Sequence, residues 1–482
     1  MDDESGLSSD LQETLRDHRG GGQDANGTLV LSDNQGYVGD TVTLQGRNLQ
    51  PDSEYEVVWH TTAGSWGVLE ANRVVGPQYQ PRTVTVITVR TDDGGSFDHE
   101  WTIPEDYGGS HRVTVEDDGA TVARSEFEIR PYFEIDRTTA PLGESFRVTG
   151  YGLGPEPTTN NYQISWDTGN VGFMTGVMNR GTATAEIRAA GGVGEHVVQV
   201  WRNYRGVPYL QNNTQSPFGP VAGDRPSAWT VEVTEPEERP PTAWVDPLFD
   251  EQPLDIHYPP LDEDTAAELS VSPECGPPGT DAIITGREFP PNTEVDLVWY
   301  QHYGEGIRGP DVHPEPRPEV LPTVRTDADG SFQFDLEIPK AEGSTRPIVA
   351  EVDGRSVAVT GFMVQPSIER FEPTSGPVGT RIEIELSGIG WTAYENTQFF
   401  TYDNKPLGYA CGMSDEHKST SITVSFRASG DPGYHFIDVY PAIFETREDE
   451  PDVEIRPHLS YLDNHPMRPL PAMHMTFEVT DE

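Results

Sequence analysis

At 482 residues the chain is too long for one β-sandwich, and domain-size statistics suggest roughly three or four domains. Asp and Glu number 80 against 32 Lys and Arg, a formal net charge of −48, which argues against nucleic acid as a partner because its phosphates would be repelled. No stretch of about 20 apolar residues exists, which excludes a transmembrane helix.

The charge also bears on the environment. Only Lys340, Lys405 and Lys418 are lysines, and at ordinary ionic strength the self-repulsion of so acidic a chain would strain every compact domain. Near 1 M salt the Debye length falls to about 3 Å and the same surface charges hardly interact. The acids are interleaved with strand patterns throughout, unlike those of an acidic tail, so the composition points to a folded protein from a high-salt environment, a halophile. Gly 48 and Pro 42 are spread along the chain, as many short strands joined by tight turns require.

In chain order, residues 1–26 are polar and acidic, with no apolar core of a secretory signal, and are expected to be disordered. Residues 27–130 read as a first domain, with period-two runs at Glu54 to Trp59 and Val84 to Val89 and an Asp92 to Gly95 turn. Residues 131–234 read as a second, with an alternating run at His196 to Val200. Residues 235–266, rich in Pro, Glu and Asp, read as a stiff, extended linker. Residues 267–365 and 366–482 complete the series as third and fourth domains, the last with a strand at Ile382 to Leu386.

The second half repeats the first. The segment Val38-Gly39-Asp40 through Pro51 to Trp59 matches Pro278-Gly279-Thr280 through Pro291 to Trp299 at an offset of 240. Thr91-Asp92-Asp93-Gly94-Gly95-Ser96-Phe97 matches Thr326-Asp327-Ala328-Asp329-Gly330-Ser331-Phe332 at 235. Gly152-Leu153-Gly154 and Trp166-Asp167 match Gly388-Ile389-Gly390 and Tyr402-Asp403 at 236, and His196 then pairs with His435. Seven or so short strands per domain is the immunoglobulin-like pattern, so the expected fold is all-β: four such sandwiches in tandem, from duplication of a two-domain unit.

The fourth domain opens with Pro373-Thr374-Ser375-Gly376-Pro377-Val378-Gly379-Thr380, followed by Ile382-Glu383-Ile384 and Gly388. This resembles the opening of IPT/TIG domains, and the third domain is similar in Pro273, Gly276-Pro277-Pro278-Gly279-Thr280, Gly286 and Phe289. The resemblance implies immunoglobulin-like modules of the kind found in cell-surface receptors, bacterial surface proteins and some transcription factors. It implies nothing about ligand, because the fold hosts many roles.

Candidate chemistry is sparse. The Asp92 to Gly95 and Asp327 to Gly330 segments could be calcium loops, but the twelfth position of each is Ile103 or Ile338, where an EF-hand needs glutamate, so turns are the better reading. His417, His435, His458, His465 and His474 crowd the fourth domain without metal-ligand spacing; His435 has a counterpart in His196 and reads as structural. Trp59, Trp299, Trp166 and Tyr402 read as core aromatics, whereas Trp66, Trp201, Trp229 and Trp244 lack tryptophan counterparts and are the better contact candidates. No catalytic motif, cofactor fingerprint or metal site appears, so the chain is expected to be non-enzymatic.

Cys275 aligns with Gln35 and Cys411 with Thr175, so both cysteines belong to the same copy. A disulfide bridging the third and fourth domains would produce that pattern and imply an oxidising location; two unrelated buried thiols would produce it too. Asn26-Gly27-Thr28 and Asn212-Asn213-Thr214 are N-glycosylation sequons at Asn26 and Asn212. The expected function is a secreted or cell-surface scaffold or adhesion protein, with its export signal not present in this sequence, acting on a protein or surface partner or as a homo-oligomer. A virion fibre or spike and an accessory carbohydrate-binding module are the alternatives.

Overall fold

The strand Thr41–Arg47 alternates strictly, with Val42, Leu44 and Gly46 buried, and Arg381–Ser387 repeats the pattern with Ile382, Ile384 and Leu386. Such strands must bury one face, and each is the middle of a three-stranded sheet that closes over a larger one. The computed structural model describes residues 27–69, 73–155, 162–202, 227–246, 260–262, 265–303, 315–341, 343–390, 397–412, 421–447, 450–457, 459 and 472–481. The expected disorder of residues 1–26 and the sequons at Asn26 and Asn212 lie outside the described residues. No helix occurs among the described residues, so none there is long and apolar enough to cross a membrane.

Strand order is the same four times over. In the first sandwich Thr28–Leu31, Thr41–Arg47 and Phe97–Thr102 form the small sheet. Gln35–Gly36, Ala120–Ile129, Gly109–Asp117, Glu54–Leu69 and Arg73–Arg90 form the five-stranded one. Its short first strand pairs parallel with the last, and Thr139–Pro141, Cys275–Gly276 and Ser375–Gly376 do the same in the other three. Each sandwich encloses its own apolar cluster, around Trp59, Trp166, Trp299 or Tyr402, so these aromatics are core residues. This is an immunoglobulin-like architecture in tandem.

The repeated turns behave as turns. Asp92 Oδ1 accepts from the backbone N–H groups of Gly94 and Ser96 at 2.9 and 2.8 Å, and Asp327 Oδ1 accepts from Asp329 and Ser331, both at 2.9 Å. The carboxylates thereby close their own loops.

Adjacent sandwiches meet at a repeated joint. The Gly108 N–H donates to Leu153 O at 3.0 Å, and its counterpart Gly343 donates to Ile389 O at 2.8 Å. A Cβ on Gly108 would lie 2.0 Å from Gly152 O, and one on Gly343 would lie 2.1 Å from Gly388 O, so backbone meets backbone only because both residues are glycine. The matched Gly-x-Gly segments of the sequence are the far side of these joints. In the first copy the hairpin of Glu54–Leu69 and Arg73–Arg90 adds to the junction: Tyr79, Tyr107 and Val177 pack together, and the Tyr107 hydroxyl donates to Val177 O.

The segment following the second sandwich is not all spacer. Ala243–Val245 pairs antiparallel with Met473 to Met475 and becomes the outer strand of the fourth sandwich's large sheet. The short Ser375–Gly376 strand covers the same edge only at Glu478 and Val479, which leaves the rest for Ala243–Val245 to pair.

Candidate functional site

Two strands of the fourth sandwich are buried on both faces along Phe436 to Tyr440 and Met473 to Phe477. In Gly433–Arg447, Ile437 and Val439 enter the sandwich's own core, while Phe436 and Tyr440 enter the core of the second sandwich, with Asp438 between them. In Met473–Val479, Met473 and Met475 point inward and His474 points the other way, directly opposite Asp438. Period-two geometry thus presents Phe436, Asp438, Tyr440 and His474 as one surface, and the second sandwich lies against it.

Arg188 ends the strand Ala183–Arg188 of the second sandwich and meets this surface. Its Nε lies 2.9 and 3.1 Å from the two Asp438 carboxylate oxygens, and its Nη2 lies 2.8 Å from Oδ1. Nη1 donates to Gly143 O at 2.7 Å. His474 bridges two carboxylates, with Nδ1 2.6 Å from Asp438 Oδ1 and Nε2 3.1 Å from Asp246 Oδ1. Arg188 Nη2 lies 2.6 Å from the same Nδ1. Trp244, from the added outer strand, stacks on His474 with ring centres 4.8 Å apart and holds the guanidinium carbon 4.7 Å from its own ring centre. Asn404 Nδ2 donates to the Arg188 carbonyl at 2.8 Å, and the Leu459 N–H donates to Phe173 O at 2.8 Å.

The electrostatics are those of a closed ion cluster. The side chains of Arg188 and Asp438 are 3% and 0% exposed. Burial alone would raise the Asp438 carboxyl, but the Arg188 guanidinium and the bond from His474 overcome it and hold it at about 2. Burial opposes the charge on His474 as well, yet its bonds to Asp246 and Asp438 outweigh both burial and Arg188 and raise it above its ordinary value. Arg188 and Asp438 therefore neutralise one another between two domains of an acidic protein, with His474 bonded between Asp438 and Asp246. With the charged groups turned toward one another and covered by Trp244 and Phe436, the cluster is a clamp between sandwiches.

The other sequence candidates are dispersed. His196 and His435 make one and the same contact in the two copies: Nδ1 reaches Asp167 at 3.0 Å and Asp403 at 2.5 Å, and the rings stack on Trp166 and Tyr402. Burial lowers the His435 pKa, but the bond to Asp403 outweighs it and the net shift is upward. The expected Cys275–Cys411 bridge is not formed in the structure, where no disulfide joins the two residues. Cys275 pairs across to Met363 in the third sandwich, whereas Cys411 Sγ lies 3.4 Å from Thr397 Oγ1 in the fourth, so occurrence in the same copy does not bring them together. His417, His458 and His465, and the side chain of Trp66, lie outside the described residues. Of the three contact tryptophans whose side chains are described, Trp244 reaches the clamp, Trp229 packs on the second core, and Trp201 donates to Ser165 Oγ at 3.0 Å. Sequence reasoning missed Arg188, Asp438 and Asp246. A signal was present in Phe436 to Tyr440, a stretch apolar on both faces and broken by a single aspartate.

No family model and no curated protein matches the chain. Among solved structures it is similar to a Salmonella alpha-2-macroglobulin at 10% identity and TM-score 0.18, covering 95% of this chain and 31% of that one. An Escherichia coli alpha-2-macroglobulin is similar at 10% identity and TM-score 0.15, covering 86% of this chain and 42% of that one. A red sea bream transglutaminase is similar at 10% identity and TM-score 0.16, covering 47% and 34%. The chain spans less than half the length of each of these proteins. The fold assignment rests on the strand order itself: immunoglobulin-like sandwiches, repeated in tandem.

Proposed function

We propose that this protein is a non-catalytic scaffold of the IPT/TIG type, secreted or held at a cell surface in a high-salt environment, that works by presenting sandwich faces at fixed spacing to protein or surface partners. The observation that carries the reading is the clamp: the buried side chains of Arg188, Asp438 and His474 hold two domains to one another. Glycine joints at Gly108 and Gly343 add to the same end. A body of this kind keeps its outer strands at set distances, which suits adhesion and assembly. The acidic surface stays hydrated and soluble in molar salt.

The test is exposure on intact source cells. A membrane-impermeant amine or carboxylate label, or a protease added outside, is expected to modify the protein before lysis, or the protein is recovered from the medium. Protection until the cells are broken would overturn the surface assignment.

A further inference from the structure

We infer that the fourth sandwich carries an open copy of the receiving half of the clamp, and that its occupant is the second sandwich of another copy of this chain. The inference deepens the scaffold reading, on which it rests, by naming the partner.

The receiving half consists of Arg188, the Gly143 turn and the outer strand Gly169–Met174, all of the second sandwich. Each has an equivalent in the fourth. Arg188 sits opposite Ser145 in its sheet, as Arg427 sits opposite Arg381. Arg188 Nη1 donates to Gly143 O at 2.7 Å, and Arg427 Nη1 donates to Gly379 O at 2.7 Å. The two glycines share a positive φ, 95° and 90°. Neither the first nor the third sandwich has this arginine, since Thr102 and Glu337 stand at the matching places.

The two sites differ in what covers them. A Cβ on Gly143 would lie 2.8 Å from Phe436 of the docked fourth sandwich, whereas one on Gly379 would meet nothing within 4 Å. Phe173 is part of the docked edge and only 4% exposed; its equivalent Tyr409 is 55% exposed, and Leu407 beside it is 48% exposed. Arg427 is exposed, and no ion pair is formed by it among the described residues. A cation, a bare turn and two apolar side chains are thus left free in the arrangement that elsewhere in the molecule holds a partner.

The complementary face is also present, on the second sandwich. Its pair Gln199 and Ala228 occupies the place that Asp438 and His474 occupy in the fourth, and Val197 takes the place of Phe436. Val197 is 36% exposed. Glu195 and Glu232, opposite each other and exposed, supply carboxylates on the same sheet face. Within the chain, different surfaces of equivalent sandwiches meet, a heterologous contact, and a heterologous contact between repeats leaves one receiving site and one face unfilled. Filling them between chains continues the row head to tail. Since Gln199 and Ala228 replace Asp438 and His474, the contact between chains is weaker than the clamp and follows concentration.

The experiment is sedimentation velocity on the full chain in molar KCl over a wide concentration range. Mass is expected to rise with concentration in multiples of one chain. Arg427→Glu and Val197→Asp, each with unchanged melting, should each raise the self-association Kd by about tenfold or more. Mixed together, the two variants should form dimers and nothing longer, because one keeps the receiving site and the other keeps the face. A chain that stays monomeric throughout, associates equally well with Arg427→Glu, or assembles only after another protein is added would overturn the inference. Surface exposure on cells is measured separately, so loss of self-association leaves the scaffold reading standing, and intracellular protection leaves the assembly result standing.

Discussion

Replacing Asp438 with alanine should open the contact between the second and fourth sandwiches. The carboxylate is fully buried and takes Arg188 and His474 together, with its pKa held at about 2 against an ordinary 3.8. One pKa step corresponds to about 1.4 kcal/mol, so the charged form alone is favoured there by roughly 2 kcal/mol. Truncation also deprives the Arg188 guanidinium, held against Trp244, of the carboxylate it pairs with, and removing one partner of a buried pair typically costs about 3–5 kcal/mol. At about 1.4 kcal/mol per factor of ten, the open population should rise by two to four orders of magnitude. The double variant Arg188→Met with Asp438→Leu removes both charges and should restore most of the loss. A single unfolding free energy is poorly defined for several domains. The assay is therefore hydrogen exchange at the amides of Gly433–Arg447 and Met473–Val479, read in molar salt near pH 6. An exchange change below about tenfold for Asp438→Ala, or a double variant as open as the single, would refute the clamp.

Three further outcomes follow from the geometry. His474 is raised above its ordinary 6.5, so its contribution is complete below that value and is lost as pH climbs through the folded value. Asp438 is depressed, so its contribution is present above 3.8 and lost as pH falls toward about 2. Trp244 fluorescence and protease sensitivity of the segment after the second sandwich should therefore change on the alkaline side, and His474→Gln should abolish that change; persistence of the titration would assign it elsewhere, His435 first. Gly108→Ala and Gly343→Ala place a Cβ 2.0 and 2.1 Å from backbone oxygens that no rotamer can move, so each joint should spring apart, visible as a larger radius of gyration by X-ray scattering. Asp106→Ala should lower the stability of the first sandwich by about 1–3 kcal/mol, because Trp59 Nε1 and Thr61 Oγ1 lose acceptors at 2.6 and 2.7 Å. Ala341 stands at that place in the second copy, where Trp299 Nε1 has no partner among the described residues, and an unchanged melting transition in the variant would show that the bond is dispensable.

Much of the fold was legible because strands and turns are local. The alternation of Thr41–Arg47 and Arg381–Ser387 specifies a one-sided sheet whatever surrounds it. Asp92 and Asp327 close their loops on backbone groups no more than four residues away. The repeat offsets exposed the Gly-x-Gly segments as important, but not as joints, since their partners Gly108 and Gly343 lie in another sandwich. The same limit defeated the cysteine pairing. Alignment between copies measures correspondence along the chain, while a disulfide needs two sulfur atoms at bonding distance, and Cys275 and Cys411 sit on strands of different sandwiches.

The clamp was hidden for a related reason, and the reason also says where to look in other repeats. A single aspartate among 80 acids carries no compositional contrast, and Arg188 and Arg427 look alike in sequence. What separates the two copies is a change at facing positions: Val197 against Phe436, Gln199 against Asp438, Ala228 against His474. Each change puts a larger or ionisable side chain on a sheet face that would otherwise meet water. In an isolated sandwich Phe436 would be a liability and Asp438 unremarkable, so the pair has a physical rationale only if a second surface covers both. Repeats that diverge jointly in size and charge on the outward face of one strand pair are therefore candidates for domain-to-domain contact. Positions that match in both copies, such as His196 and His435, serve each sandwich separately.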